Sequence, residues 1–327
     1  MKKYIILIIF LLAFSFTSYS AETNTTQNVS GHITNNYVDI YKEITKTYIG
    51  NWKKDNQASK ANNQTTNVYN QTFKVSGQTF MIWQSQYIKK SYFWILLLTP
   101  IIFLLHYLII GPKKFSHEGE SFLVYRALTR LIHWIAAISF SILVISGLAI
   151  IFGKVFGGGN IIRNFRYIHA PAAAVFVPSS VIMFLMWLKD MIIAPGDISW
   201  FLKFGGYLSK KNIIMNVGKF NPGQKMWFWL ATIGGFVMAY TGRYLFKFSG
   251  NLDSLRFYAL THNILGMALV AMFMVHLYMS VFAIKGSLQA MFTGKKHEEE
   301  LKIMHCRYYK KLSGKDCSDN SENDVNE

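Results

Sequence analysis

Histidine is the residue type in this sequence with the widest capacity for chemistry. The 327-residue chain has nine histidines, and five of them fall within or beside long apolar runs. An imidazole can bind a metal ion or a haem iron, and an ionisable side chain inside a membrane is costly enough to mark a functional candidate. The alternative for each is a structural histidine, hydrogen-bonded to a neighbouring helix. The five are His106, His133, His169, His262 and His276.

The elements that carry these histidines are apolar runs of membrane-spanning length. Hydrophobic residues make up 51% of the chain, and a membrane span needs about 20 predominantly apolar residues. Aromatic residues cluster at the ends of the runs, as they do at membrane interfaces. We therefore expect an all-α membrane protein with five transmembrane helices. The predicted spans are Tyr92–Ile110, Leu131–Phe152, Tyr167–Leu188, Met226–Phe246 and Phe257–Ile284.

The distribution of positive charge predicts how these spans are oriented. Segments 111–130, 189–225 and 285–327 carry 18 Lys and Arg, against 5 in segments 153–166 and 247–256. Cytoplasmic segments of membrane proteins carry the excess of Lys and Arg. The first span is therefore expected to run inward, which leaves the N-terminal segment in the periplasm and the C-terminus in the cytoplasm. The expected location is a bacterial inner membrane.

This topology sorts four of the histidines into two pairs. His262 and His276 are 14 residues apart on one predicted helix, so they share a face and differ in depth by about 21 Å. The predicted depths match His262 with His169 near the outer face, and His276 with His133 near the inner face. Two imidazoles at one depth on different helices are suited to ligating one haem iron.

Other chemistries fit these pairs less well. Neither pair has a nearby Cys, Asp or Glu to complete a zinc site, and the sequence has no C-x-x-C-H motif for covalent haem. A proton relay stays open as an alternative. Gly147 and Gly266 are placed to leave room for a macrocycle or to allow close helix packing. His106 has no partner at its depth, so an interfacial or hydrogen-bonded role is expected for it.

The N-terminal region is predicted to be exported. Residues 1–20 combine a charged start with a short apolar stretch, which is the pattern of a signal peptide; an uncleaved anchor helix is the alternative. Residues 21–90 are polar and rich in Asn, Thr and Gln, which predicts a periplasmic segment. The remaining predicted parts are an extra transmembrane helix over 91–110, a four-helix domain over 111–296 and a cytoplasmic tail over 297–327.

The net charge and the cysteine count exclude further classes. The chain has 34 Lys+Arg and 17 Asp+Glu, a formal charge of +17, which first suggests nucleic-acid binding. That charge is dispersed over the segments flanking the spans, so no nucleic-acid partner is expected. Two cysteines are too few for a disulfide scaffold. Cys306 and Cys317 fall on the predicted cytoplasmic side, where free thiols are expected.

A polar loop leads directly into the fourth predicted span. It reads Val217-Gly-Lys-Phe-Asn-Pro-Gly-Gln-Lys225, and it lies on the predicted side of His133 and His276. The composition predicts a turn followed by a lysine that snorkels to the interface. Gly223 would let the backbone approach a ligand closely.

With this loop, residues 120–296 resemble the gamma subunit, a membrane cytochrome b, of respiratory formate dehydrogenases. Pro222 departs from the loop motif of that family, and the chain before Glu120 lies outside its four-helix core. The matching motifs are Arg130-x-x-His133-Trp134, Ser146-Gly147, His169 at the head of the next span, Val217-Gly-Lys-Phe-Asn-Pro-Gly-Gln-Lys-Met-Trp-Phe-Trp229, His262-x-x-x-Gly266, and His276-x-Tyr278-Met279…Lys285-Gly286-Ser287.

The resemblance implies a four-helix transmembrane di-haem cytochrome b core with one extra N-terminal transmembrane helix. It also implies a menaquinone site beside the inner haem. The implied ligands of the iron in two b-type haems are His133, His169, His262 and His276. The implied quinone-binding residues are Asn221, Gly223, Gln224, His276 and Met279.

The function implied by the resemblance is electron transport in anaerobic respiration. Electrons would come from a periplasmic iron–sulfur beta subunit joined to a molybdenum or tungsten catalytic alpha subunit, and they would reduce the quinone at the cytoplasmic side. No formate-oxidising site is expected in this chain. Two alternatives stay open: the cytochrome b subunit of a nickel–iron hydrogenase, and a non-redox membrane anchor or transporter.

Overall fold

The computed structural model describes residues 77–116 and 118–317 of the chain. The predicted signal peptide and most of the predicted polar segment lie outside the described residues. The chain divides into two compact units, Met1–Trp83 and Gln84–Glu327. Of the first unit, the described part is helix α1 and the residue that follows it. The second unit contains all the histidines discussed below.

The described elements are almost entirely helical. Short π-helical segments follow α1, α6 and α8, over Trp83–Ile88, Leu230–Gly234 and Met279–Ala283. In chain order the elements are α1 (Gly77–Ile82), α2 (Lys89–Ile109), β1 (Ser121–Leu123), α3 (Ala127–Ile151), α4 (Gly159–Trp187), α5 (Asp197–Leu202), α6 (Pro222–Trp229), α7 (Gly235–Lys247), α8 (Leu252–Tyr278), α9 (Ser287–Thr293), β2 (Lys295–His297), α10 (Glu298–Met304) and α11 (Cys306–Ser313).

In the part of the chain that the structure describes, four helical stretches are long and apolar enough to cross a membrane. They coincide with four of the five predicted spans, although the first begins earlier than its apolar run because the polar residues before Tyr92 are helical too. The all-α membrane fold predicted from the sequence is confirmed. The four stretches are Thr79–Ile109, Ala127–Ile151, Gly159–Met191 and Leu252–Ala283.

The remaining predicted span, Met226–Phe246, the fourth in chain order, is helical but not one continuous α-helix. It comprises the end of α6, the π segment and most of α7. At the junction, a Cβ added to Gly235 would lie 2.8 Å from Cε1 of Phe176 on α4. The absent side chain therefore lets the Phe176 ring pack against the backbone where the helical pitch changes.

An aromatic core lies between the helices that carry the paired histidines. Phe140 of α3 is the centre of this core, with ring centroids 5.3 Å from Phe176, 5.5 Å from Trp227 and 5.1 Å from Phe273. Phe140 is seven residues, or two helical turns, after His133 and seven before Gly147. The space between the two histidine depths is thus filled by packed rings.

The extra helix α2 packs on the four-helix core through its Tyr92. Tyr92 is 3% exposed, and its hydroxyl donates to the backbone carbonyl of Asn263 on α8 at 3.0 Å. A Cβ on Gly266 would lie 2.5 Å from this hydroxyl oxygen. Of the two alternatives for Gly266, the structure therefore favours close helix packing.

The described part of the predicted tail, residues 297–317, packs against the rest of the protein. Strand β2 pairs antiparallel with β1, and α10 and α11 follow, with Leu301 and Tyr309 fully buried. The backbone of Met215 donates to Ile303 and accepts from Cys306. His305 is 3% exposed, and its Nδ1 lies 2.9 Å from the carbonyl of Gly218.

The expectation of free thiols is wrong. Cys306 and Cys317 form a disulfide, with Cα atoms 5.9 Å apart. Cys306 is the first residue of α11 and Cys317 follows the helix, so the bond ties the segment after α11 to the start of the helix. Sequence spacing alone does not predict this pairing, since it depends on the turn that follows Ser313.

Candidate functional site

The outer histidine pair joins α4 and α8. The ring centroids of His169 and His262 are 6.3 Å apart, with an interplanar angle of 60°. Each Nδ1 faces a hydroxyl on a neighbouring helix: Ser146 Oγ lies 2.8 Å from His169 Nδ1, and Thr241 Oγ1 lies 2.9 Å from His262 Nδ1. The two rings thus lie beside each other at one depth, as the sequence predicts.

These hydroxyls determine which imidazole nitrogen can bind a metal. Ser146 also lies 2.5 Å from the carbonyl of Ile142, and Thr241 lies 2.8 Å from that of Val237. A carbonyl can only accept, so each hydroxyl donates to it and accepts the Nδ1–H of its histidine. The lone pair of each Nε2 is then free to bind a metal, because a hydrogen bond from Nδ1–H fixes the tautomer of a ligating histidine.

A glycine follows each of the two hydroxyl residues. A Cβ on Gly147 would lie 3.4 Å from Cε1 of His169, and one on Gly242 would lie 3.2 Å from Cε1 of His262. Gly147, for which room for a macrocycle and close helix packing were both predicted, thus borders the His169 ring. Sequence reasoning missed Thr241 and Gly242. They share a hydroxyl–glycine pattern with Ser146-Gly147, but the pattern gains meaning only because the structure places each hydroxyl beside a histidine.

The inner histidine pair joins α3 and α8. The ring centroids of His133 and His276 are 6.4 Å apart, with an interplanar angle of 54°. Trp227 of α6 stacks on His276 at 5.4 Å and 19°. Unlike the outer histidines, His133 has a buried Nδ1 without a hydrogen-bond partner among the described residues.

Each histidine pair has the spacing needed for its two rings to ligate one iron from opposite sides. A metal–imidazole nitrogen bond is about 2 Å long, and the ring centroid lies roughly 1 Å further, so two rings on opposite sides of one metal have centroids about 6 Å apart. Within residues 77–116 and 118–317, no group of three or more His, Cys, Asp or Glu could hold a metal ion. Pairs of imidazoles suit haem, which supplies the four equatorial nitrogens itself.

Three of the five predicted quinone residues, Asn221, Gly223 and Gln224, lie at the start of α6. Asn221 is the N-cap of this helix, and it forms a capping box with Gln224: Asn221 Oδ1 accepts from the backbone of Gln224, and Gln224 Oε1 accepts from that of Asn221, each at 2.9 Å. Among the described residues the Nε2 of Gln224 has no partner. It is the amide donor in this loop that is free for a ligand.

Gly223 and Lys225 of the same loop have partners within the protein. A Cβ on Gly223 would lie 3.0 Å from Cη2 of Trp200, so the glycine admits this indole. Lys225 is 5% exposed, and its Nζ lies 2.6 Å from Oδ2 of Asp197 and 2.8 Å from the carbonyl of Ile192. The lysine therefore does not snorkel to the interface, because a buried carboxylate holds it inside.

Helix α6 connects the loop to the inner pair, because it carries both Gln224 and Trp227. Gln224 and Trp227 are three residues apart on α6, about 4.5 Å along the axis, and Trp227 contacts His276. Met279 begins the π segment that follows α8. The quinone-binding assignments stay predictions, but the structure brings the loop to the same end of the bundle as His133 and His276.

His106 is hydrogen-bonded, as expected. Its Nδ1 lies 2.6 Å from the hydroxyl of Tyr278, and its Nε2 lies 2.9 Å from the carbonyl of Tyr207. Among the described residues, the ring of His106 contacts Tyr278 and neither histidine pair. It is therefore excluded as a fifth ligand by its own partners.

Charged groups beside the loop are also buried. Lys296 Nζ lies 2.5 Å from Oε1 of Glu300. Burial acts to lower the pKa of Lys296, but the carboxylate of Glu300 raises it overall. Burial, together with the charge of Lys296, lowers the pKa of His305 to about 3. His305 is thus neutral at physiological pH.

Residues 124–294, slightly more than half of the chain, match the family described as prokaryotic cytochrome b561. The cytochrome b556(Fdn) subunit of the nitrate-inducible formate dehydrogenase of Escherichia coli K12 is 30% identical over 210 residues, covering 60% of this chain and 94% of that protein. The cytochrome b556(fdo) subunit of formate dehydrogenase from the same organism is 27% identical over 198 residues, covering 58% and 92%.

A third relative, the formate dehydrogenase cytochrome b556 subunit of Haemophilus influenzae, is 26% identical over 197 residues, covering 57% of this chain and 81% of that protein. All four paired histidines fall inside the family match, whereas His106 and α2 precede it. The resemblance predicted from the motifs is confirmed. The chain belongs to the prokaryotic cytochrome b561 family and is similar to the cytochrome b subunits of formate dehydrogenases.

Proposed function

We propose that the protein carries electrons from a formate dehydrogenase to menaquinone through two b-type haems. The proposal rests on the two imidazole pairs. The ring centroids are 6.3 Å apart in the outer pair and 6.4 Å apart in the inner pair, and α8 contributes one histidine to each pair at a different depth. When bound, the two haems supply one-electron carriers at the two depths, and so connect opposite faces of the membrane.

The side chains around the outer pair orient the ligands. The hydroxyls of Ser146 and Thr241 accept hydrogen bonds from Nδ1–H of His169 and His262. These bonds fix the tautomer and the ring direction and leave each Nε2 available as the iron ligand. At the inner pair, Trp227 limits rotation of the His276 ring by stacking on it. The chain thus positions the ligands, while the redox chemistry belongs to the cofactors.

The quinone is assigned to the loop before α6. Gln224 offers an amide N–H to a quinone carbonyl, while its Oε1 keeps the capping box with Asn221. Gly223 leaves room for the indole of Trp200. His276 lies in the last turn of α8, and Met279 follows that helix. Protons for quinol formation are taken from the cytoplasm, since this loop lies on the predicted inner side.

The assignment of partners follows the relatives, which are named as formate dehydrogenase subunits. We infer that a periplasmic iron–sulfur subunit and a molybdenum or tungsten catalytic subunit bind the outer face. The location is the bacterial inner membrane, with the N-terminal segment in the periplasm and the C-terminus in the cytoplasm.

Purification of the intact complex tests the function directly. The complex should contain two b haems for each copy of this chain, reducible by formate and reoxidised by a naphthoquinone. Absence of b-type absorbance in the reduced-minus-oxidised spectrum would refute the haem proposal. Reduction by hydrogen instead of formate would assign the chain to a hydrogenase.

A further inference from the structure

The first membrane helix reaches the loop segment that borders the proposed quinone site. His106 lies in the last turn of α2. Its Nε2 must donate to the carbonyl of Tyr207, because a carbonyl only accepts, and its Nδ1 therefore accepts the Tyr278 hydroxyl. The ring of Phe103, one turn earlier on α2, stacks on Tyr278 at 4.3 Å and 8°.

Tyr207 transmits this contact to the quinone loop. The Tyr207 hydroxyl accepts a hydrogen bond from Nδ2 of Asn221 at 3.3 Å. Its ring lies 6.0 Å from that of Trp200, the indole that occupies the space above Gly223. One residue thus contacts both the N-cap of α6 and the indole beside the loop.

The segment that carries Tyr207 needs support from outside itself. Phe204, Gly205 and Gly206 have consecutive positive φ angles of 48°, 61° and 72°, a conformation that is unfavourable for the phenylalanine. No strand or long helix includes Tyr207 among the described elements. Contacts with neighbouring elements must therefore maintain its position.

Lys113, just after α2, supplies a second tie to the same segment. Its Nζ donates to the carbonyls of Ser209 and Lys211, each at 2.7 Å, and the residue is 6% exposed. Both ties run from the first helix or its end to backbone carbonyls of residues 207–211. The two residues that supply these ties, His106 and Lys113, precede the family match over 124–294.

We propose that the first membrane helix is a positioning element for the quinone site, acting through His106 and Lys113 on Tyr207 and, through it, on Asn221 and Trp200. This inference rests on the proposed quinone site. His106 is a positioning residue, since it contacts neither the paired histidines nor the loop donor Gln224. The expected signature is a change in quinone affinity without a change in haem content.

The test uses the intact complex, with formate as donor and a water-soluble naphthoquinone as acceptor. His106→Ala should raise the KM for the quinone about fivefold or more, the effect of one lost hydrogen bond, with kcat less affected. Both haems should remain reducible by formate. His106→Gln should restore a low KM, because a glutamine amide can still donate to the Tyr207 carbonyl.

Matched controls separate positioning from general damage. Lys113→Ala should raise the KM, whereas Lys114→Ala makes the same charge change at an exposed neighbour and should not. Tyr278→Phe removes an α2–α8 contact near the loop, and Tyr92→Phe removes one near the other end of α2. If His106→Ala destabilises the complex, Tyr278→Phe and Lys113→Ala carry the test.

The outcomes distinguish this inference from the function on which it rests. Unchanged KM values in His106→Ala and Lys113→Ala, with Gln224→Ala impaired, would overturn the positioning role alone. Normal quinone reduction in Gln224→Ala would instead overturn the quinone site. Equal KM increases in the Lys113→Ala and Lys114→Ala variants would also count against the positioning role, because they would indicate a general charge effect.

Discussion

The hydroxyl of Ser146 lies 2.8 Å from Nδ1 of His169 and donates to its own helix. Thr241 repeats this arrangement at His262. The two depths therefore differ: both outer imidazoles have a hydrogen-bonded Nδ1, whereas Nδ1 of His133 at the inner depth is buried without a partner among the described residues.

Replacing Ser146 should change the outer haem selectively. A hydrogen bond at Nδ1 makes the imidazole a stronger donor to iron, which stabilises the oxidised state. Ser146→Ala should raise the midpoint potential of one haem, by roughly 60 mV if the effect is tenfold for one electron, and leave the other unchanged. Redox titration of the b-type absorbance measures both.

Ser141 provides the matched control for that substitution. It lies on the same helix and bonds its own backbone at Ala137, without a histidine partner. Ser141→Ala should leave both potentials unchanged. A shift of equal size in both variants would show that the hydroxyl acts on the helix and not on the ligand.

Removing one histidine of a pair should remove one haem. His276→Ala deletes a ligand of the inner pair, while His169 and His262 keep their partners, so the complex should retain one haem for each chain. His262→Ala should show the converse loss. Haem content is measured against protein by pyridine haemochrome spectra. Retention of both haems in either variant would contradict the pairing.

The role of Gln224 can be separated from its structural role. Gln224→Glu keeps an oxygen acceptor for the backbone N–H of Asn221, and therefore the capping box, but removes the Nε2 donor. Quinone reduction by formate should fall by about tenfold, the effect of losing a hydrogen bond to a ligand, with haem content unchanged. Turnover with a naphthoquinone measures the effect.

Loss of the helix cap has its own control. Asn251 caps α8 by accepting from the backbone of Ser254 at 2.8 Å, at the opposite end of that helix from Met279. Asn251→Ala removes a cap of the same kind far from the loop. If it impairs quinone reduction as much as Gln224→Ala, which breaks the capping box, does, the amide donor of Gln224 has no special role.

Acid should weaken the folded C-terminal segment through His305. Its pKa is lowered to about 3 in the folded protein and is about 6.5 in an unfolded chain. The unfolded state thus binds the proton first, so this contribution is complete above about pH 6.5 and is lost as the pH falls toward 3. In that window it changes by up to about 1.4 kcal/mol per pH unit.

Thermal unfolding of the detergent-solubilised protein at pH 7 and pH 5 measures this dependence. His305→Asn can keep a donor to the carbonyl of Gly218 without a titrating ring. The loss of stability between the two pH values should be smaller in this variant. An unchanged loss would assign the pH dependence to carboxylates elsewhere.

The disulfide makes a prediction about thiol reactivity. Cys306 and Cys317 are the two cysteines of the chain, so the unreduced protein should not react with a maleimide and should react at two sites after reduction. If a maleimide labelled the native protein within the reducing cytoplasm, Cys306 and Cys317 would be free thiols there, as the sequence predicts. Mass spectrometry counts the adducts.

The transmembrane helices and histidine pairs could be predicted because both follow from periodicity and length. The hydroxyl partners could not. A serine or threonine in any membrane helix can bond its own backbone, and Ser141 does so, so nothing local distinguishes it from Ser146. What matters is which side chain the neighbouring helix brings to 2.8 Å.

The C-terminal segment was predicted as a tail for a physical reason that misleads. Its high content of Lys and Glu resembles a solvated surface, but Lys296 and Glu300 neutralise each other in the interior. Burial of Leu301 and Tyr309 depends on a surface formed by other parts of the chain, including Phe122. A single amphipathic turn does not reveal such a partner.

The two backbone bonds of Met215 have a consequence for biosynthesis. Their partners, Ile303 and Cys306, are translated some ninety residues later. The loop before α6 can therefore acquire its final hydrogen bonds only after the last membrane helix has left the ribosome. Assembly of the proposed quinone end of the bundle is then a late event, which follows the synthesis of residues 303–306.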